Sequence, residues 1–220
     1  MYGGEHIPDW FLILVLIIVI VFAAISYWMS SGRVELKPGV SNDRGTKAFY
    51  YENPLKFMTR PIEIVDVKMG HVGQIQREYN SVSKLFLSLL MPNHYVSIKG
   101  TDRQNGTVVR VGKIKGKKGM VKSSWEVELN SPNSNERFMI KGERKSPSNV
   151  IASFTFQNEL IRVAKPSGER TYHFYRNDKE AAKISLIGKL PPRKIFMDGR
   201  QGEIPLLVIA AIFEALKGYR

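Results

Sequence analysis

The chain has 220 residues, 43% of them hydrophobic, and a formal net charge of +13 from 33 Lys and Arg against 20 Asp and Glu. That length suits one domain of ordinary size with a short appendage, and the charge draws it toward polyanions such as nucleic acid, anionic lipid headgroups or acidic proteins. Cysteine is absent, which excludes disulfide frameworks, thiolate metal sites and cysteine nucleophiles.

Residues 1–9 carry Glu5 and Asp9 and no Lys or Arg. Residues 10–29 hold no charge, and within them residues 11–22 are all Phe, Leu, Ile or Val. A helix of this length reaches about 30 Å, the thickness of bilayer hydrocarbon. Trp10 at one end and Tyr27 and Trp28 at the other stand where interfacial aromatics stand. The run predicts one transmembrane helix over 10–29. A cleaved signal peptide would need a basic leader and a shorter apolar stretch ending in a small-residue cleavage site. Arg33, Lys37, Arg44 and Lys47 follow the run, so the positive-inside rule predicts a single-pass protein of the cell membrane, with a short outward N-terminus and a cytoplasmic C-terminal domain.

Residues 30–46 read as a linker, because Gly32, Pro38, Gly39, Asn42, Asp43 and Gly45 break any period. Short strand-like segments come next. Trp125, Val127 and Leu129 alternate with Glu126 and Glu128, and 94–99 alternates likewise. Strands are also predicted over 47–51, 61–69, 72–79, 107–114, 137–141, 151–156, 159–164, 171–175, 183–187 and 194–197. Loops rich in Gly, Pro, Asn and Ser fall at 102–106, 130–135, 143–149 and 166–168. Residues 85–91 are nearly all apolar, and periodicity does not decide between strand and helix there.

Residues 204–216 behave differently. Pro205 suits a helix start and Gly218 a helix end, and Glu214 is the one charge in an otherwise apolar segment. Such a helix must be buried on all sides or lie in lipid. Thirteen residues reach only about 20 Å, too short for a bilayer. The prediction is a core helix over 204–217 inside a sheet that curls around it and hides its own edges. The expected fold is mainly β: about a dozen antiparallel strands in a barrel over 47–220 around a buried hydrophobic C-terminal helix, plus the N-terminal transmembrane helix.

This ending, with Asp198, then Ile204, Pro205 and Leu206, then Ala210, Ala211, Phe213 and Glu214, resembles that of the tubby C-terminal superfamily, which includes the phospholipid scramblases and LURP-one-related proteins. Residues 72–79, 85–91 and 125–127 look like small bacterial tubby-like domains. The resemblance covers about 47–220. It implies a barrel around a C-terminal helix; tubby domains bind phosphoinositides, scramblases move lipids in response to calcium, and many relatives have no known activity. No acidic calcium loop is present, which counts against a calcium-driven scramblase.

The strongest local feature is one-signed: Arg110, Lys113, Lys115, Lys117, Lys118 and Lys122 occupy 110–122 without an acid. Each such charge gains roughly 1 kcal/mol beside anionic lipid. The competing reading is a solvated hairpin loop. No aromatic interleaves the cluster, which argues against nucleic acid. The four histidines, His6, His71, His94 and His173, lack metal-ligand spacing, and no nucleophile motif is complete. No catalytic residue, metal or cofactor is expected. The favoured function is a membrane-anchored, non-enzymatic binding module for anionic lipid or an acidic protein. The alternatives are a structural or assembly subunit of a membrane protein complex, or an enzyme with a pocket in the barrel.

Overall fold

The computed structural model describes residues 8–31, 46–53, 59–66, 70–79, 81, 83–84, 97–102, 104–114, 123–132, 134–143, 149–188, 192–200 and 204–217. The chain divides into two compact units, Met1–Leu36 and Lys37–Arg220.

The first unit contains helix α1 (Asp9–Ser31). Its large apolar side chains over residues 10–22 are exposed. Trp10 is 65% exposed, and Tyr27 and Trp28 lie outside the described side chains. Among the described residues no helix is long and apolar enough to cross a membrane. This corrects the expected transmembrane helix, and with it the single-pass placement in the cell membrane and the cytoplasmic orientation derived from it.

The second unit is a closed antiparallel barrel of twelve strands, as its alternating pattern predicts. In chain order these are β1 (Thr46–Tyr51), β2 (Ile62–Asp66), β3 (His71–Arg77), β4 (Ser97–Asp102), β5 (Thr107–Ile114), β6 (Ser124–Ser131), β7 (Ser134–Gly142), β8 (Val150–Phe156), β9 (Glu159–Ala164), β10 (Thr171–Arg176), β11 (Lys179–Ile187) and β12 (Lys194–Gly199). Each strand pairs with its sequence neighbours, and β1 closes the ring against β12 from Thr46↔Gly199 to Tyr51↔Lys194. Two connections are two-residue turns, the first as the expected strands 151–156 and 159–164 imply and the second tighter than the sequence suggested. Gln157 and Asn158 (φ 49° and 62°) join β8 to β9, and Asn177 and Asp178 (φ 48° and 62°) join β10 to β11. Positive φ at both central residues matches the twist of a two-residue hairpin. The loop expected over 130–135 is shorter too, because β6 and β7 stay paired out to Ser131↔Ser134. The segment 85–91 lies outside the described residues.

Helix α2 (Leu206–Leu216) runs through the barrel, and all its residues but Leu206 are buried. Inward residues of every second strand position pack on it: Ile64, Ile75, Ile98, Val109, Val127, Phe174 and Met197 are all at most 2% exposed. Tyr172 meets Phe213 edge-on at 5.0 Å. Near its start the helix lies against backbone. A Cβ on Gly100 would meet Leu207 at 3.0 Å, and one on Gly73 would meet the Thr101 carbonyl at 2.8 Å and Leu207 at 3.3 Å.

These glycines provide the clearance the helix uses. Gly73→Ala is expected to lower stability by about 1–3 kcal/mol through overpacking, seen as a lower urea midpoint. Gly112→Ala, where an added Cβ meets nothing within 4 Å, is expected to shift it by less than about 0.5 kcal/mol.

Candidate functional site

The antiparallel register brings one end of β1, β3, β5 and β9 and the start of β12 to the same rim of the barrel, where α2 ends. Strand alternation decides what points inward there. Glu52 continues the inward series of Ala48 and Tyr50; Arg77 follows Gly73 and Ile75; Lys113 follows Val109 and Val111; Lys165 follows Ile161 and Val163; Arg193 precedes Ile195 and Met197. The helix adds Glu214 and Lys217. Among the described residues, five inward-turned cations thus meet two inward-turned carboxylates at this rim.

The carboxylates sit in a connected network. Glu214 is 5% exposed and Tyr50 1%. Glu214 accepts hydrogen bonds from the Tyr50 hydroxyl at 3.1 Å and from Lys217 Nζ at 2.6 Å, and Arg77 lies 3.7 Å from its other oxygen. Glu52, also 5% exposed, accepts two bonds from Arg193 at 2.5 and 3.1 Å and one from Lys217 at 3.5 Å. Lys217 therefore bridges the two acids. Lys165 stands over the Tyr172 ring at 5.2 Å, extending the cationic rim beyond Arg193.

The electrostatics follow the geometry. Burial alone would raise the Glu214 pKa, but Lys217, Arg77 and the hydrogen bonds from Lys217 and Tyr50 outweigh it, so the carboxyl sits below the ordinary range. Burial, then the neighbouring Glu214 charge and bond, push the Tyr50 hydroxyl well above its ordinary value. The bond to Glu52 holds Arg193 higher still. Burial lowers Lys113.

Of the predicted cluster, Arg110 and Lys113 are described, and Lys115, Lys117, Lys118 and Lys122 lie outside the described residues. Strand alternation separates the two that are seen. Lys113 points into the barrel, whereas Arg110 is exposed on the outer face, between Lys99 and Glu128 on the neighbouring strands. Glu128 is already bonded by Arg137. The chain between β5 and β6 leaves and re-enters at the cationic rim, where Ile114 pairs with Ser124. Sequence reasoning missed Tyr50, Glu52, Arg77, Arg193 and Lys217. The available signal was Glu214, a charge in an apolar helix that required partners. His173 stands 3.4 Å from Glu180 and 3.8 Å from Glu169. Among the described residues no group of three or more His, Asp or Glu is placed to hold a metal.

Beside the rim lies an open cleft of about 440 Å³, lined among the described residues by Thr59, Gln76, Arg77, Glu78 and Tyr79.

The family model for the Tubby C-terminal like domain matches residues 49–219. Comparison with curated proteins and with solved structures returned no match.

The Glu214 network is expected to show in acid unfolding. Because its folded pKa is depressed, its stabilisation is complete above the ordinary glutamate value of about 4.3 and is lost as pH falls through the lower folded value. Glu214→Gln should cost about 3–5 kcal/mol at pH 7 by leaving buried cations uncompensated. The deficit should shrink in urea titrations carried below pH 4; a deficit constant with pH would contradict the assignment.

Proposed function

The chain belongs to the Tubby C-terminal-like family, and from that premise we propose that its barrel is a non-enzymatic binding module engaging anionic groups, of lipid headgroups or of an acidic protein partner. The observation that carries this reading is the charge at the helix-exit rim: Arg77, Lys113, Lys165, Arg193 and Lys217 against Glu52 and Glu214. The basic chain between β5 and β6 starts and returns at the same rim. The candidate contact residues are Arg110, Lys115, Lys117, Lys118 and Lys122, and Lys113, turned inward, contributes field rather than contact. Several such charges close to an anionic surface supply reversible binding that weakens as salt shortens the Debye length.

A non-enzymatic role is favoured by what the buried polar groups do. Glu52 and Glu214 are tied to cations inside the network, which is a structural use of these two charges.

Co-sedimentation of the full chain with neutral and anionic vesicles, at low and high salt, tests the reading. Binding is expected to require anionic lipid and to fade with salt. Changing Arg110, Lys115, Lys117 and Lys118 to Glu should remove it at roughly 1 kcal/mol per charge. Binding that the charge reversal leaves unchanged, or that ignores lipid charge, would overturn the lipid reading. Retention of the parent chain, but not the reversed one, on an acidic protein matrix would assign the charge to a protein partner.

A further inference from the structure

The hairpin of β4 and β5 ends in a turn that carries Asn105 followed by Gly106. The two strands stay paired out to Asp102↔Thr107, and Gln104, Asn105 and Gly106 beyond that pair are exposed. Gly106 has φ 61°, a left-handed value that glycine adopts without strain. A Cβ on it would meet nothing closer than the Pro132 side chain at 3.4 Å. The Asp102 carboxylate holds the turn. It accepts the Gln104 N–H at 2.9 Å, the Asn105 N–H at 3.2 Å and the Asn105 side-chain amide at 2.7 Å.

We infer that Asn105 is a site of spontaneous deamidation and that Asp102 restrains the reaction. The Gly106 backbone nitrogen loses its proton and bonds to Asn105 Cγ. The bond from Cγ to Nδ2 breaks, and ammonia leaves with a proton in place of the one given up. Water then opens the five-membered imide at either carbonyl, giving aspartate by one route and isoaspartate by the other. Water is the one co-reactant. Glycine suits the ring closure because no side chain shields its nitrogen and its backbone rotates freely. Exposure of the turn supplies the water. Asp102 opposes the closure in two ways. The 2.7 Å bond ties the Asn105 amide back to residue 102, so the amide must let go before Cγ reaches the next peptide nitrogen. Donation to a carboxylate is a charge-assisted bond, which keeps electron density on the amide and makes Cγ a poorer electrophile. Isoaspartate would add one carbon to the main chain between Asp102 and Thr107. β4 has little slack to absorb it, since a Cβ at Gly100 would crowd Leu207 and the Thr101 carbonyl lies equally close to the Cβ position of Gly73. The turn lies at the other end of β5 from the basic segment, so this inference and the surface-binding reading stand or fall separately.

Peptide mapping by mass spectrometry of the full chain, aged in mildly alkaline buffer beside a urea-unfolded aliquot, tests the site. The peptide holding Asn105 is expected to gain the mass of an amide-to-acid exchange and to be labelled by an isoaspartate methyltransferase. Asn105→Ser should abolish both signals. Asp102→Ala should speed the reaction by about threefold to tenfold, the population released when one hydrogen bond is lost. Asp102→Asn keeps a neutral acceptor for the turn and should fall between the two, which separates release of the amide from a general loss of folding. The isoaspartate form should unfold at lower urea than freshly prepared Asn105→Asp, which carries the new charge without the added carbon. Asn105 left intact in the folded chain while the unfolded aliquot is converted would overturn the site. Asp102 variants that age at the parent rate would overturn the restraint.

Discussion

Helix α2 has no face that water can wet: every residue from Leu207 to Leu216 is buried, and most of them are aliphatic. A segment of this kind must be enclosed on all sides, and a meander of strands encloses it only by closing on itself. The pairing of β1 with β12 is therefore a consequence of the helix rather than an independent feature. The glycines of β3 and β4 follow in turn, since a Cβ at Gly100 would crowd Leu207 and one at Gly73 would crowd both the Thr101 carbonyl and Leu207.

Enclosure also decides where charge can go. The helix carries Glu214 on its last turn, and Lys217 caps its end. A buried carboxylate costs several kcal/mol unless paired and bonded, so the adjacent strands supply Tyr50, Arg77 and, through Glu52, Arg193. The opposite stretch of the helix, packed on glycines, needs no such partners. The barrel interior is thereby apolar and close-packed around the helix start, and polar and ionic around the helix end.

Much of the fold was legible in the sequence. Alternation such as that of Trp125, Val127 and Leu129 places strands directly, because burial on one face imposes a period of two. The all-apolar stretch before Glu214 told of a core helix because it was too short for any other environment. The network was not legible, since contacts such as Arg193–Glu52 and Tyr50–Glu214 join residues 141 and 164 positions apart and no local period records them. The basic run 110–122 looked like one patch, but the pleat turns Arg110 and Lys113 to opposite faces of the wall. The transmembrane expectation rested on the composition of 10–29, and among the described residues no helix has the length of apolar surface that composition promised.

The core helix follows all twelve strands in the chain. On a ribosome, β1 emerges some 165 residues before the end of α2, which at 5–20 residues per second is roughly ten to thirty seconds. During that interval β1 lacks both the strand that closes the ring and the helix that fills it. Its unpaired edge and the inward aromatics Tyr50, Trp125 and Phe174 are then open to other chains. The nascent barrel is a sheet waiting for its interior.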